Sequence, residues 1–564
     1  MRIPISLAKA MPFLRWPRPT LTSLRKDAWA GISVGLVLIP QAVAYAQLAG
    51  MPAETGLYAA LLPSIVGILW GSSALLAVGP VALTSLLTFG SLSPLASPGT
   101  AAWVGLAIWL SLYAGIIQFF LGAFRFGRIA NLVSQPVMVG FINAAAIIII
   151  VSQLPALLGI AGLSPESMAE AMRRLQAAPL QASLPAAFGG ASLLLLIGAK
   201  RYFPSIPGVL IVTFLGIVAS MLFDYAGHGG DVVGAIEAGV PGLVFPPAIP
   251  LASHQELWPA ALVLALISFT EAMSSCRVLA RKRSEQWDEN QELIGQGLAK
   301  VVSGASGAFP VSGSFSRSAL NLYAGATSGW ATLFTSLCVL FSLLFLTDLI
   351  RYLPKPVLAA MVMVPVFSLL DFSAIRRVLA ISRLDGVIAI VTFAVTLFSV
   401  PRLHWGVVAG VGLTMAAFLY RRTQPRIVEV GQHGDGTLRD RSRFDLAPLA
   451  PDVLAVRLDA ALNFLTSAAL ERFINEQCRA NPKVRRALVC CSGINDIDVT
   501  GIDTLELLRA NLSGAGIQLY LSAVKKQVWD MLETARFIDA LGREYFFATD
   551  AAAISGLSNT PARA

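Results

Sequence analysis

The feature of this sequence that most constrains its fold is a run of 70 residues, from 55 to 124, without any Asp, Glu, Lys or Arg. A single bilayer crossing takes about 20 residues, so this run alone predicts several crossings. The whole chain is 55% hydrophobic and only 13% charged, whereas a typical soluble domain carries about 25% charged residues. The composition therefore argues against a soluble globular enzyme and predicts a polytopic α-helical membrane protein.

Two apolar pieces are too short to span a bilayer alone. Each is about a dozen residues long, one from Gly79 to Gly90 and the other beginning at Ser314, and both are bounded by Gly, Ser or Pro. Helices that stop at membrane depth are tolerated only where they line a cavity. The two short pieces and twelve longer apolar segments together predict 14 crossings. The longer segments lie near 27–49, 56–70, 101–121, 129–151, 184–199, 206–223, 257–280, 291–308, 327–347, 354–370, 385–400 and 403–420.

The two short pieces lie at similar distances from an earlier polar interruption. Gln41 precedes Pro80 by 39 residues, and Glu271 precedes Ser314 by 43 residues. Matching short segments in two halves are typical of inverted-repeat transporters, whose substrate site lies between broken helices. The sequence thus predicts a 7+7 inverted repeat with two half-helices.

The distribution of Lys and Arg predicts the orientation. With the N-terminus in the cytoplasm, most basic loops fall inside, and the loop from Asp224 to Glu256, which has four acids and no Lys or Arg, falls outside. Arg351 and Lys355 fall on the wrong side. The basic excess of residues 1–442 is accordingly attributed to this bias, and no nucleic-acid partner is predicted.

After about residue 443 the pattern changes to alternating short strands and helices, which predicts a small soluble α/β domain. The predicted division is a cytoplasmic N-terminal segment at 1–26, a transmembrane transport domain at 27–422, a linker at 423–442 and the α/β domain at 443–564. The linker contains GQHGDG and is predicted to be an exposed loop.

Several motifs together resemble the SulP family, the sulfate permease group of anion transporters. They are DAWAGISVGLVLIPQAVAYAQLAGMPAETGLY from Asp27, GSSALLAVGPVAL from Gly71, and ENQELIGQGLAKVVSGASGAFPVSGSFSRSALNLYAGA from Glu289. The stretch CSGINDIDVTGIDTLELL from Cys491 is similar to the STAS domain that follows the membrane part in that family.

This resemblance implies specific expectations. The segment SFTEAMSSCRVLARK, from Ser268, is similar to the sulfate-transporting branch, in which the Glu at this place, here Glu271, is associated with proton coupling. Thr500 matches the phosphorylated serine of stand-alone bacterial relatives, which makes it a candidate regulatory phosphosite. The family also implies a homodimer.

Arg317 is the strongest candidate for an anion-binding residue on physical grounds. It lies in SFSRSAL, where Ser314, Phe315 and Ser316 begin a short helix. A helix N-terminus supplies free N–H groups and a positive dipole, and the serines add hydroxyl donors. The alternative is an Arg paired with a buried carboxylate, because intramembrane charges usually pair.

The facing element, Gly79-Pro80-Val81, is predicted to begin the second half-helix, with Pro80 suited to its first turn. Gln41 and Tyr45 lie four residues apart on one helix face after Pro40 and are predicted to line the same polar cavity. Alternatively, they satisfy backbone groups that Pro40 releases.

Glu271 is the only carboxylate in its apolar segment. Burial disfavours its charged form, so it is a candidate proton carrier during transport. The alternative is a structural salt bridge to Arg277 or Arg317. For Thr500 the alternative is a helix N-cap, a position where Thr is common.

Together these observations predict a secondary active anion transporter of the inner or plasma membrane, with the STAS domain in the cytoplasm. Proton-coupled sulfate symport by alternating access is the leading interpretation, with sulfate, protons and membrane lipid as partners. Uptake of bicarbonate or a dicarboxylate, coupled to sodium, remains an alternative, as does an anion channel or sensor. No enzymatic activity, metal site or cofactor is expected, and no phosphate-binding loop of the form GxxxxGK[ST] occurs.

Overall fold

The computed structural model describes residues 11–128, 133–159, 183–202 and 207–558. Its contacts divide the chain into two compact units, Met1–Thr414 and Met415–Ala564. The first ten residues and the predicted starts of two segments, at 129 and 206, lie outside the described residues.

Among its described residues, the first unit consists mainly of helices, with two very short strands. Six helical segments of the described residues are long and apolar enough to cross a membrane, by length and composition, and one of them, Lys355–Ile381, comprises two of the helices below. Its elements are α1 (Leu21–Leu48), α2 (Ala53–Trp70), β1 (Ala77–Gly79), α3 (Ala82–Leu92), α4 (Ala101–Ala123), α5 (Gln135–Leu157), α6 (Ser183–Tyr202), α7 (Gly208–Leu222), α8 (Leu251–Arg283), α9 (Glu289–Ala305), β2 (Ser312–Ser314), α10 (Phe315–Tyr323), α11 (Trp330–Phe345), α12 (Thr347–Ile350), α13 (Lys355–Phe367), α14 (Phe372–Ile381), α15 (Arg383–Phe398) and α16 (His404–Thr423).

A helix occupies each predicted apolar segment, although α1 starts earlier than the sequence predicts. It begins at Leu21, where the Thr20 hydroxyl accepts from the Ser23 N–H and the Ser23 hydroxyl accepts from the Thr20 N–H. The short helices α12 and α14 were not predicted. The count of 14 crossings remains a prediction, because several of these helices are shorter than a bilayer span.

The two broken regions meet through a small antiparallel ladder. Strand β1 pairs with β2 in the register Ala77 to Ser314 and Gly79 to Ser312. Each strand leads into a short helix, α3 of 11 residues and α10 of 9 residues. The Ser318 hydroxyl on α10 also accepts from the Ala77 N–H at 2.8 Å. The antiparallel pairing therefore brings the N-terminal ends of α3 and α10 together from opposite directions, as an inverted repeat requires.

The long helices pack as two groups. In one, α4 packs against α8 and α9, and α1 packs against α2 and α11. In the other, α5 packs against α13 and α15, and α13 packs against α6. Helices α4 and α9 approach closely because Gly115 has no side chain. A Cβ there would lie 2.7 Å from the Gly297 carbonyl oxygen, which is too close.

The two basic residues that violate the predicted orientation are neutralised locally. Lys355 lies 3.9 Å from Asp231 in the acidic loop, and Arg351 lies 3.7 Å from Asp348 and stacks on the Tyr352 ring. The Gly234 N–H also donates to the Arg351 carbonyl, and the Lys355 N–H donates to the Asp231 carbonyl. Both residues therefore lie beside the acidic loop, as the predicted topology requires.

The second unit contains a six-stranded sheet in the order β4-β3-β5-β6-β7-β8. Strands β5 to β8 are parallel, and β3 is antiparallel to both of its neighbours. The elements are β3 (Ile427–Gln432), β4 (Leu438–Asp440), α17 (Arg441–Phe444), β5 (Val453–Leu458), α18 (Ser467–Ala480), β6 (Arg486–Cys490), α19 (Val499–Gly514), β7 (Gln518–Ser522), α20 (Lys526–Thr534), α21 (Phe537–Leu541), β8 (Phe546–Phe547) and α22 (Asp550–Ser558).

Successive side chains on each strand point to opposite faces of the sheet and so contribute to two separate hydrophobic cores. On β5, Leu454 and Val456 face a core that includes Leu470 of α18 and Leu505 of α19, whereas Ala455 faces a second core that includes Ile554 of α22. The sheet is thus covered on both faces, which is usual for parallel strands.

Residues 423–442, predicted to be an exposed linker loop, are mostly not a loop in the structure. Only their middle is a turn, because Ile427–Gln432 and Leu438–Asp440 form a hairpin that adds two strands to the sheet. The GQHGDG motif occupies the hairpin end, where Gly436 has a positive φ of 80°. The strands are short and carry polar residues, so the sequence shows the turn more clearly than the strands.

Candidate anion-binding site

The candidate site lies where the two half-helices begin. Ser314 is the N-cap of α10, and its side-chain oxygen accepts from the Arg317 N–H at 3.4 Å. Ser314 and Arg317 are buried, whereas Phe315 and Ser316 are exposed. The sequence therefore identified the start of this half-helix correctly, and its first turn presents one face to the protein and one to open space.

Arg317 is buried at 2% exposure, yet two of its nitrogens, Nε and Nη2, have no hydrogen-bond partner among the described residues. No carboxylate within the described part of the chain forms an ion pair with it at 4.0 Å or less. The alternative of an Arg held in a structural salt bridge is therefore not realised in this conformation. Unsatisfied buried donors on a cation are costly, and an anion would satisfy them.

Gly79 leaves the space beside this guanidinium open. A Cβ at Gly79 would lie 3.3 Å from Arg317 Nη2 and 3.6 Å from Ser64 Oγ. The Ser64 hydroxyl is hydrogen-bonded to the Val78 carbonyl at 2.7 Å, which fixes β1 against α2. Glycine at this position therefore allows the strand to approach the Arg317 side chain closely.

Pro80 is placed differently from the prediction. Helix α3 begins at Ala82 with Val81 as its N-cap, so Pro80 precedes the cap and does not lie in the first turn. The cause is that β1 continues to Gly79, which leaves Pro80 to link strand and cap. Val81 has no capping side-chain oxygen, and α3 thus lacks a side-chain cap at this end.

Gln41 and Tyr45 are both 6% exposed on α1. Neither side chain forms a hydrogen bond to the backbone near Pro40 among the described residues, so the alternative role is not observed. Gln41 Oε1 is buried without a partner. The charges of Arg317 and Glu271 both act on the Tyr45 hydroxyl, so Tyr45 lies near these two residues.

Glu271 lies in the middle of α8, and its Oε2 is buried with no hydrogen-bond partner in the described residues. Arg277, one of the two expected partners, instead lies 3.6 Å from Glu289. Arg317, the other, acts on Glu271 electrostatically without a direct ion pair. Glu271 is therefore close to the candidate site but is not locked into a salt bridge.

Lys300 is a further charged residue near this site, and the sequence motifs did not point to it. This residue of α9 is fully buried, and its Nζ donates to Gln118 Oε1 at 2.9 Å. Its charge acts on Glu271. The signal that could have found it is a Lys inside the apolar segment 291–308, because an ionisable residue within the membrane indicates function.

A cavity of about 380 Å³ opens farther along α3. It is lined by the ends of α1 and α5, by Leu86 and Phe89 of α3, and by the segment before α16. None of Arg317, Glu271 or Lys300 lines it. The cavity therefore lies between the two groups of helices and away from these three charged residues.

In the second unit, Thr500 is not the N-cap of α19. That role belongs to Asp498, whose carboxylate accepts from the Gly501 N–H at 2.8 Å. Thr500 is an exposed residue of the first turn. The capping interpretation is therefore wrong, because an Asp two residues earlier is a strong competitor for the cap.

Comparison with known proteins agrees with this architecture. The family model described as "Sulfate permease family" matches residues 24–392, and the STAS domain model matches residues 447–553. The chain belongs to the sulfate permease family. It is therefore a multi-pass membrane transporter with a C-terminal STAS domain, and the resemblance inferred from its motifs is confirmed.

Two relatives illustrate the sequence likeness. The chain is 30% identical to "Probable sulfate transporter 4.2" of Arabidopsis thaliana, over 92% of this chain and 79% of that protein. It is also 30% identical to a probable sulfate transporter of Mycobacterium tuberculosis (strain ATCC 25618 / H37Rv), over 93% of this chain and 94% of that protein.

Solved structures support the fold. The murine Solute Carrier 26 family member A9 anion transporter, in an inward-facing state, gives a TM-score of 0.88 at 22% identity, covering 98% of this chain and 95% of that chain. The transmembrane domain of the cyanobacterium bicarbonate transporter BicA gives 0.61 at 20% identity, covering 70% of this chain and 99% of that chain. The predicted fold class is thereby confirmed.

Proposed function

We propose that this transporter carries sulfate into the cell together with protons, and that the anion binds at Arg317 between the N-terminal ends of α3 and α10. The observation that carries the proposal is Arg317 itself, a buried cation with two nitrogens that lack partners in the described residues. The names of the sulfate transporters to which the chain is similar support sulfate as the substrate.

The proposed binding geometry follows from the ladder. The ladder holds the N-terminal ends of α3 and α10 near each other beside Gly79, and free N–H groups at these ends would let a tetrahedral oxyanion accept from several donors at once. Ser314, Ser316, Gln41 and Tyr45 supply further polar groups. An oxyanion bound there would satisfy the Arg317 donors that the protein alone does not.

Glu271 is the proposed proton carrier. Its carboxylate is buried, has an unpartnered oxygen and acts on Arg317 without pairing to it. Protonation removes a negative charge that repels the incoming anion, so proton and anion assist each other's binding. By thermodynamic reciprocity, lower pH then tightens sulfate binding.

The proposed transport step is movement of one helix group against the other. The half-helices pack with α1, α8 and their neighbours, while α5 and α15 belong to a second group that contacts the first where α13 packs against α1. Sliding or rocking of the groups would expose the site to each side in turn. The cavity between α3 and α5 offers space for such a movement.

The experiment that tests the proposal is uptake of labelled sulfate into proteoliposomes under an imposed proton gradient, a sodium gradient, or neither. The proposal expects accumulation of sulfate only with protons concentrated outside. Accumulation of bicarbonate or a dicarboxylate under a sodium gradient supports the alternative substrate class instead. Equilibration of anions without concentration supports a channel.

The same proposal includes three further points. The transporter forms a homodimer, it lies in the inner or plasma membrane with its STAS domain in the cytoplasm, and it is regulated at Thr500. An exposed hydroxyl in the first turn of α19 is accessible to a kinase. Aspartate at this position would mimic the negative charge of a phosphorylated threonine. An unchanged uptake rate for Thr500→Asp would therefore argue against regulation there.

A further inference from the structure

Lys300 is a fully buried lysine whose ammonium has one hydrogen-bond partner among the described residues. Its Nζ is 2.9 Å from Gln118 Oε1, and the other end of that amide donates to the Ala265 carbonyl at 2.6 Å and to Ser268 Oγ at 3.1 Å. A buried ammonium held by one neutral acceptor is only partly compensated. The charged form of Lys300 is therefore stabilised when negative charge lies nearby, which a bound anion supplies.

The hydrogen bonds around Lys300 lead to the half-helix junction. The Ser268 carbonyl accepts from Ser312 Oγ at 2.9 Å, and Ser312 pairs with Gly79 in the ladder between β1 and β2. Ser268 also lies one turn before Glu271 on α8. Lys300 is thus tied, through Gln118 and Ser268, to the same elements that form the candidate anion site.

Glu271 is the titratable group that acts electrostatically on Lys300, and Glu271 also acts on Arg317. These three residues form one charged compartment of two cations and one carboxylate. When Glu271 carries a proton, two positive charges remain, and they match the charge of a divalent anion. Without the charge of Lys300, protonation of Glu271 would leave only the one positive charge of Arg317, which matches a monovalent anion.

We propose that Lys300 supplies the second positive charge of the anion compartment and thereby makes the transporter select a divalent over a monovalent oxyanion. This inference rests on the proposed function. Lys300 acts here at a distance, through the electrostatic field, and Gln118 holds its ammonium in place. The role differs from that of Arg317, which is placed to contact the anion.

Coulomb's law gives the proposal a distinctive signature. The interaction energy is proportional to the anion's charge, so removing one positive charge costs a dianion twice the free energy that it costs a monoanion. Dissociation constants depend exponentially on that energy. A loss of about tenfold for a monovalent anion therefore corresponds to about a hundredfold loss for sulfate.

The test measures the binding of sulfate, selenate, nitrate and bicarbonate to the full-length protein at one fixed pH, in wild type and in Lys300→Gln. We expect the fold-loss for the two dianions to be about the square of the fold-loss for the two monovalent anions. Lys300→Arg should retain the preference for dianions. Lys355→Gln, which removes a half-buried lysine paired with Asp231, should change the affinity for neither class of anion.

Equal losses for the two classes, or no loss for either, would overturn the inference, since a packing defect does not distinguish anions by charge. If Lys300→Gln fails to fold, the pair Lys300→Met with Gln118→Leu replaces both bonded partners by apolar groups of similar shape, and the same ratio applies. A wild type that binds bicarbonate but no dianion contradicts the proposed function and this inference together. A wild type that binds sulfate, with equal losses in the variant, contradicts the inference alone.

Discussion

At the scale of single residues, the candidate site is defined by polar atoms that the protein does not satisfy. Arg317 contributes two unpartnered nitrogens and Glu271 one unpartnered oxygen within the described residues. Their positions, 46 residues apart in the chain, converge because α8 packs against β2 and α10, where Ser312 Oγ donates to the Ser268 carbonyl. Groups left unsatisfied in a buried site are candidates for ligand contacts, because nothing else offsets the cost of burying them.

Arg317→Ala should abolish sulfate binding, whereas Arg351→Ala should not. The first removes a buried donor placed to contact the anion, and truncating one member of such a charged pair costs at least about 2 kcal/mol, or about thirtyfold in Kd. Arg351 is exposed and lies 3.7 Å from Asp348. Equilibrium binding of labelled sulfate to the purified variants measures the difference, and sulfate affinity retained in a folded Arg317→Ala protein would count against the site.

Gly79→Ala should weaken sulfate binding by about tenfold, because crowding in a packed site costs about 1 to 3 kcal/mol. The new methyl group would lie 3.3 Å from Arg317 Nη2. Gly325→Ala is the matched control, since Gly325 also has a positive φ but a Cβ there meets nothing within 4 Å. Sulfate titrations that give both variants the same affinity would show that space beside Arg317 does not matter.

At the scale of elements, short pieces of backbone position the functional groups. Half-helices α3 and α10 were predictable from their length and their Gly, Ser and Pro boundaries. The strands before them were not, because three-residue strands such as β1 leave almost no pattern and form only when their partner from the other half is present. For the same reason Pro80 was assigned to a helix turn that begins two residues later.

The β3–β4 hairpin illustrates element stability. Asp440 accepts from Arg426 at 2.8 Å and from the Arg443 N–H at 3.1 Å, and chiefly the Arg426 bond lowers the pKa of Asp440 to about 2. A lowered carboxyl pKa contributes stability that is present above the unfolded pKa of about 4 and is lost as pH falls toward 2. The hairpin should therefore weaken in acid.

Asp440→Asn should lower the unfolding temperature of the second unit at neutral pH, because Asn cannot form the charged pair with Arg426. We expect the gap between wild type and variant to narrow as pH falls below about 4, since wild type then loses the same pair. Differential scanning calorimetry of the full-length protein, in which only the transition of the second unit should shift, measures the gap at each pH. A gap that stays constant down to pH 2 would mean that the ion pair does not stabilise the hairpin.

At the scale of the whole molecule, the sequence predicted the architecture better than the charged compartment. The long charge-free run and the change of pattern near residue 443 are properties of extended segments, so they predicted a helical membrane part and an α/β tail. Lys300 was missed because its partner, Gln118, is 182 residues away in the chain, and only the packing of α4 on α9 brings them together. The tail begins earlier than predicted because β3 and β4 join its sheet.

Removing residues 424–564 should leave sulfate binding within about threefold of wild type, since all groups of the candidate site precede residue 318. The cut belongs after Thr423, because a cut at 443 would leave β3 and β4 without β5, the strand that β3 pairs with in the sheet. Labelled-sulfate binding to the truncated and full-length proteins makes the comparison. Loss of binding by a truncated protein that is correctly inserted would show that the tail contributes to the site.

The central claim is that Glu271 carries the proton that drives sulfate uptake. Glu271→Gln imitates the protonated carboxyl but cannot release a proton, so this variant should bind sulfate without concentrating it. The decisive measurement is the internal pH of proteoliposomes when sulfate is added outside under an inward proton gradient. Wild type should acidify the interior in step with sulfate entry, and Glu271→Gln should not. Acidification and sulfate accumulation by Glu271→Gln equal to those of wild type would contradict the claim.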